Sequence, residues 1–324
     1  MAEYGRRRSP AKRVSWETGI EGSNPSLSAM FFAWQITWRD PPTRFFTLKV
    51  KRQVTKAIIP AAGMGSRVQS LAKDQPKEML PIGGRPMISY AVQEAALSGL
   101  KELYIVINAC KASLRRYLES EALQGALRSE KRYQDISLPR LTFIDQPSPV
   151  GSGDAIYQAR ELIGEEPFAL MMPDFVFFGD TPALGQMISL YEQCERHIVG
   201  LLTLRGEEAE GFGNVGIVEG EEREQGVVEI HSLSGKTPDP LIVKEGEKVF
   251  KAVARWILEP HFFSYLERTK GKGEWDDTPA LQMLCREKEV LGKVLEGRGF
   301  DVGTPVGYQA ATVFAANLDV GGKR

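Results

Sequence analysis

From Val54 onward the chain alternates short apolar runs with segments of helical spacing, and this alternation constrains the fold more than any other feature. Lys56–Pro60 is a short buried-strand pattern, and residues 103–107 (LYIVI) are apolar at every position. A strand with no polar face has to be covered on both sides, the condition of a parallel sheet between two helical layers. Residues 86–100 place Met87, Tyr90, Ala91, Ala95 and Leu97 at helical spacing and stop near Gly99. Further helices are expected at 112–128, 153–163 and 181–195, with strands at 141–144, 168–172 and 198–204. This rhythm predicts an α/β fold with a right-handed, mostly parallel sheet flanked by helices. After Gly206 the rhythm changes. Shorter strands are expected at 215–218, 227–230 and 249–257, forming a smaller β-rich region and the second half of a bipartite site. Asp277-Thr278-Pro279 reads as a helix start, with Asp or Thr as cap, running to about Glu287.

Composition removes several function classes. The net charge of −1 over 324 residues gives no electrostatic case for nucleic acid or membrane partners. No apolar run approaches the roughly 20 residues needed to span a bilayer. The cysteines, Cys110, Cys194 and Cys285, are far apart and odd in number, so they are expected to be reduced, buried and cytoplasmic. His197, His231 and His261 are isolated in sequence and lack the spacing of a zinc ligand pair.

Residues 1–53 differ from the rest. They carry a charge of +6 against −7 for the remainder, hold Trp16, Trp34 and Trp38, and show no helix or strand period. They contain no secretory apolar core, and Glu3, Glu17 and Glu21 argue against an organellar transit peptide. Reverse translation of EGSNPSLSA at 21–29 admits the string GGTTCGAATCC, which is that of a tRNA T-loop. The expectation is therefore a leader read from within a tRNA gene, with the protein proper starting at Met30 or Val54. Disorder is expected for the leader, and a single domain over 54–324.

The chemistry concentrates in the stretch after the first strand, IIPAAGMGSRVQSLAKDQPKEMLP. Gly63 and Gly65, after Ala62, let backbone N–H groups approach a phosphate. Arg67 can fork onto phosphate oxygens, and Lys77 adds a compact point charge behind the stiff Pro76. A Walker A loop is absent. A dinucleotide fingerprint fails because Val68 stands at its third glycine position. A plain turn with solvated cations fits poorly with a lysine enclosed by prolines and a Met-Leu pair. In open α/β sheets ligands sit at the carboxyl ends of strands, and the Gly63 loop, Gln146, Asp174 and Asp301 fall at or just past such ends.

Taken together, Ala-Ala-Gly-Met-Gly-Ser-Arg and Gln-Pro-Lys-Glu-Met-Leu-Pro resemble the signature of the sugar-1-phosphate nucleotidyltransferases, with wording most similar to the bacterial UTP–glucose-1-phosphate uridylyltransferases. The resemblance runs from about Thr55 to Ala316. It implies a Rossmann-like fold, a nucleoside triphosphate and a sugar 1-phosphate as substrates, Mg²⁺ as cofactor and a homo-oligomer. Gln146 would read a uracil or thymine edge, and Gly151 and Gly153 would let base and ribose approach the backbone. Asp174 in Met172-Pro-Asp174 and Asp301 in Phe300-Asp301-Val-Gly would hold the metal. Arg67 would hold the leaving phosphates and Lys77 would neutralise the attacked phosphorus.

The sugar half departs from the family. Ser234-Gly235-Lys236-Thr237-Pro238 stands where Glu-Lys-Pro is usual, so Lys236 keeps a sugar-phosphate role but no glutamate precedes it. Val253-Ala254-Arg255-Trp256 replaces Gly-Arg-Tyr, and Glu274-Trp-Asp-Asp-Thr278 only partly matches Glu-x-Gln-Leu-Thr. Glu274 or Asp276 would supply the missing sugar contact. Three readings stay open: uridylyl transfer to glucose 1-phosphate or a relative, thymidylyl transfer from dTTP, and a nucleotide-binding regulatory paralogue without turnover.

Overall fold

The computed structural model describes residues 52–65, 68–72, 75–128, 136–223, 226–237, 241–271, 273–287 and 289–321. The leader expectation for residues 1–53 lies outside the described residues apart from Arg52 and Gln53, and Arg67 lies outside them as well.

Thirteen strands occur among the described residues: β1 (Lys56–Pro60), β2 (Pro81–Ile82), β3 (Arg85–Pro86), β4 (Glu102–Ile107), β5 (Arg140–Asp145), β6 (Phe168–Met171), β7 (Phe175–Phe178), β8 (His197–Leu204), β9 (Ile217–Glu222), β10 (Val227–Leu233), β11 (Val249–Leu258), β12 (Val290–Val294) and β13 (Arg298–Asp301). Nine of them form one sheet in the order β5-β4-β1-β6-β11-β8-β12-β10-β9. The pairs β4–β5, β1–β4, β1–β6 and β8–β12 are parallel, while β10 and β11 run against the rest. This is the Rossmann-like, mostly parallel sheet that the apolar runs demand.

The strand interiors show why both faces are covered. Ala57 and Ile59 join one core cluster with Leu103, Ile105 and Ile107. Ile58, Tyr104 and Val106 join another on the opposite face. The two-residue period thus sends alternate apolar side chains into separate helical layers. The β-rich stretch after Gly206 is present, but β9, β10 and β12 extend the same sheet, and β11 is inserted between β6 and β8.

Several helices are shorter than their periodicity predicts. The 112–128 segment is two helices, Ala112–Leu118 and Glu121–Arg128, and 153–163 is Ser152–Tyr157 followed by Arg160–Ile163. The helix Pro305–Gly321 has no counterpart in the sequence reading. It packs Ala311 and Ala315 with Val176 and Val302 in a third core cluster. Below it β7 and β13 pair antiparallel as a separate ribbon, so Asp301 ends a ribbon strand and not a strand of the main sheet. No described helix is long and apolar enough to cross a membrane.

The thiols correct the expectation of burial in part. All three cysteines are free, but only Cys285 is buried and Cys110 is exposed on the turn after β4. The histidines also depart from expectation, since His197 and His261 meet in space.

Candidate active site

Strands β1 and β6 are neighbours, yet the chain leaves β1 for β4 on one side and reaches β6 on the other. At such a switch point the loops beyond the carboxyl ends diverge and leave a crevice. A cavity of about 550 Å³ lies there. It is lined by Ala62, Gly63, Gly65, Lys77, Gln146, Gly151, Asp174, Lys236, Glu274 and Asp301, while Gly153 and Asp276 are not among the lining residues.

Lys77 begins the 3₁₀ turn Lys77–Met79, and its Nζ lies 2.7 Å from Asp174 Oδ2. Gly65 makes room for it. With φ at +72°, a Cβ on Gly65 would meet Lys77 Cδ at 2.9 Å. The glycine thus serves the lysine stem as well as any phosphate. The next residue, Glu78, points the other way. It is fully buried and takes Lys111 Nζ on both carboxylate oxygens at 2.8 Å. Burial lowers the Lys111 pKa while Glu78 opposes the shift. This inward pair ties the lysine turn to the segment after β4, and it explains why a charged residue sits between Lys77 and an apolar Met-Leu. Asn108 fixes the glycine loop from the same segment, donating from Nδ2 to the Ala62 carbonyl at 2.5 Å.

The two acidic candidates converge. A Cβ built on Gly303 would lie 2.9 Å from Asp174 Oδ2 and 3.1 Å from Asp301 Oδ1. The Val302 N–H donates to the Asp174 carbonyl at 2.9 Å and the Gly303 N–H to Asp301 Oδ1 at 3.1 Å. Two carboxylates facing one small space, with phosphate oxygens to complete the shell, suit a hard octahedral cation. The glycine two residues after Asp301 was the available signal.

Other contacts alter the expected roles. Gln146 is buried, but its amide nitrogen donates to Asp154 Oδ2 at 2.7 Å and to the Gly151 carbonyl at 3.2 Å. Both amide protons are thereby engaged within the protein, and the acceptor Oε1 is the group left to meet a base. The glycines also face a neighbour within the protein. A Cβ on Gly151 would lie 2.2 Å from the Trp275 carbonyl oxygen, and one on Gly153 would lie 2.9 Å from it. The Trp275 N–H donates to Val150 O at 2.7 Å, and the Gly153 N–H donates to Trp275 O at 2.8 Å. The glycines admit the Trp275 backbone, which closes this side of the cleft.

At the Lys236 end of the cleft, Lys236 pairs with Asp276, which also accepts from the Thr278 N–H at 3.0 Å. Glu274 is exposed at the rim. Asp277 holds the N-cap position, but its side chain does not cap and instead accepts from the Ser152 hydroxyl. Burial raises Asp276, yet the hydrogen bonds from Lys236 and Thr278 outweigh this and hold it at about 2. Burial and the Asp276 charge push Asp277 up to about 6 from an ordinary 3.8. A raised folded-state pKa means that the stability contributed by protonated Asp277 is lost as pH rises from about 4 through about 6. Asp277→Asn is therefore expected to raise the thermal midpoint at pH 7.5. The gain should vanish near pH 4, which denaturation scans of both proteins across this range would check.

Residues 56–317 match the family described as Nucleotidyl transferase. The chain belongs to that family. It is 34% identical over 275 residues to the UTP–glucose-1-phosphate uridylyltransferase YngB of Bacillus subtilis (strain 168), covering 81% of this chain and 90% of the relative. Among solved structures, a UDP-glucose pyrophosphorylase complexed with UDP-glucose superposes with a TM-score of 0.68 at 33% identity, covering 82% of this chain and 99% of the other. A UTP-bound UGPase from Acinetobacter baumannii superposes with a TM-score of 0.65 at 26% identity, covering 81% and 93%. The fold is thus shared with a pyrophosphorylase solved with UDP-glucose and a UGPase solved with UTP.

Proposed function

We propose that this nucleotidyltransferase joins UTP to a sugar 1-phosphate, with glucose 1-phosphate as first candidate, and releases pyrophosphate. The observation that carries the reading is the convergence of Lys77, Asp174 and Asp301 beside the glycine loop, in a chain whose relatives act on UTP and glucose 1-phosphate. A phosphate oxygen of the sugar phosphate forms a bond to the α-phosphorus, and the bond from that phosphorus to the β-phosphate oxygen breaks. The nucleophile is already an anion, so no general base is required. Positioning and charge neutralisation supply the catalysis.

Within this reading Lys77 neutralises the attacked phosphate, Arg67 holds the leaving pyrophosphate, and Gly63 and Gly65 present backbone N–H groups. Gln146 Oε1 accepts from a uracil N–H, and Lys236 holds the sugar phosphate. Nucleotidyltransferases of this family use a divalent metal. Asp174 and Asp301 would hold Mg²⁺, which when bound supplies positive charge to the phosphates. The family match over 56–317 supports a single catalytic domain over 54–324. Free thiols throughout support a reducing, cytoplasmic setting.

The test is pyrophosphate release from the full chain with Mg²⁺, UTP or dTTP, and a panel of sugar 1-phosphates, with products identified by mass. UTP with glucose 1-phosphate is expected to give UDP-glucose, faster than dTTP gives its product. Faster reaction with dTTP would make it a thymidylyltransferase. UTP binding without pyrophosphate release from any sugar would overturn the catalytic reading in favour of a regulatory paralogue.

A further inference from the structure

Away from the cleft, three side chains from separate segments converge at the opposite, amino-terminal edge of the sheet. His197 opens β8, His261 follows β11, and Glu289 immediately precedes β12. The parallel pairing of β8 with β12 sets Val290 beside His197, and this brings together residues that sequence spacing had kept apart. His197 Nε2 lies 2.9 Å from His261 Nε2, which lies 3.0 Å from Glu289 Oε2. The remaining side of the triangle, His197 Nε2 to Glu289 Oε2, is 3.7 Å. Among the described residues this is the one group of three or more His, Cys, Asp or Glu whose ligand atoms all lie within 4.8 Å of one another.

Protons alone serve such a triangle poorly. One proton placed between any two of these atoms leaves the third with a lone pair or a hydrogen facing a like group. A cation at the centre serves all three, because each atom then presents a lone pair to it. Ligands about 2.0–2.1 Å from a tetrahedral zinc ion lie roughly 3.3 Å from one another, within the spread of 2.9 to 3.7 Å seen here. We propose that His197, His261 and Glu289 form a binding site for a divalent transition-metal ion of the zinc class. Two imidazoles and one carboxylate favour such an ion over Mg²⁺, which prefers oxygen ligands. His261 and Glu289 are about half exposed, at 51% and 45%, so solvent can deliver the ion and fill a fourth position.

One contact must change when the ion binds. His197 Nδ1 accepts the Glu259 main-chain N–H at 3.2 Å, which places the ring proton of the neutral imidazole on Nε2. An ion on Nε2 moves that proton to Nδ1, and the contact with Glu259 lengthens. Binding is thus coupled to a change of tautomer at His197. The ion would also tie three distant chain segments together, so that it stabilises the folded state by mass action.

The experiment uses the full chain without an affinity tag, stripped of metal by chelation and held in saturating Mg²⁺. Zn²⁺ is titrated by calorimetry and Co²⁺ by visible absorption. One Zn²⁺ per chain is expected, with intense tetrahedral Co²⁺ bands, a rise in thermal midpoint, and a switch of the His197 ring ¹⁵N resonances to the Nδ1-protonated pattern. His261→Ala and Glu289→Gln should each weaken Zn²⁺ binding at least tenfold and leave pyrophosphate release unchanged, since the site lies away from the cleft. Glu289 is an exposed position, so its variant keeps the test open if His261→Ala does not fold. Absence of Zn²⁺ binding, an unchanged His197 ring, or an affinity indifferent to both substitutions would overturn the proposal. The last outcome would assign the ion to another donor such as the exposed Cys110.

Discussion

Replacing Lys77 by alanine is expected to lower kcat for nucleotidyl transfer by about 10²–10³-fold, the scale seen when a positioned charge-stabilising donor is removed. The reaction brings one phosphate anion onto the phosphorus of another, so the attacked centre gathers negative charge from both sides. Lys77 Nζ stands where it can offset that charge, 2.7 Å from Asp174 Oδ2 at the edge of the carboxylate pair. Alanine removes the cation and leaves the Asp174 carboxylate facing the incoming phosphates with less compensation. The fold should survive, because the turn is anchored by Glu78 and Lys111, which the substitution does not touch. The checks are pyrophosphate release under saturating substrate and circular dichroism with thermal melting. Near-normal turnover from the folded variant would remove Lys77 from the mechanism.

The parts of this cleft that were legible in the sequence share one property: they are local. The glycines and Asp174 each follow an apolar run within a few residues, so strand period and turn chemistry place them at the carboxyl ends of β1 and β6, and Lys77 was marked by the adjacent Pro76 and Met-Leu pair. The parallel sheet was legible for the same reason, since LYIVI at 103–107 has no polar face. What stayed hidden depends on pairings between distant segments. The contact of Gly151 with the Trp275 backbone was hidden because Trp275 lies far along the chain. Lys111 and Glu78 look like surface charges until the fold buries them against each other. The His197–His261 contact needs both the β11 turn and the register of β8, which no local pattern encodes. The helix Pro305–Gly321 escaped because small and apolar residues are spread around it without a strong periodic face.

Arg255 is the sharpest case, since its sequence context marked it only as part of an altered sugar-binding motif. It is fully buried in β11, and its guanidinium meets Glu94 through Nε and Nη2 at 3.0 Å each. Its remaining donors reach the Met172 carbonyl at 2.7 Å and the Phe175 carbonyl at 2.9 Å, the two carbonyls that bracket Pro173 and Asp174. Glu94 in turn accepts from the Leu184 N–H at 3.0 Å, so one carboxylate links two helices to the loop that carries the metal candidate. Removing Glu94 strands a guanidinium in an apolar interior. Glu94→Ala is therefore expected to cost about 3–5 kcal/mol of folding stability, the range for breaking a buried ion pair by deleting one partner. A double replacement, Glu94→Leu with Arg255→Met, removes the stranded charge and should recover part of that loss, the remainder reflecting the bonds lost by the Leu184 N–H and the Met172, Ala254 and Phe175 carbonyls. It should not restore the wild-type Mg²⁺ dependence. Without the guanidinium, the carbonyls of Met172 and Phe175 lose their donors, and Asp174 is no longer held in register with Asp301. The double variant is thus expected to be stable by urea denaturation yet to need several-fold more Mg²⁺ for half-maximal pyrophosphate release. Wild-type Mg²⁺ dependence in that variant would show that the buried pair sets stability alone and that Asp174 is positioned by the ribbon of β7 and β13.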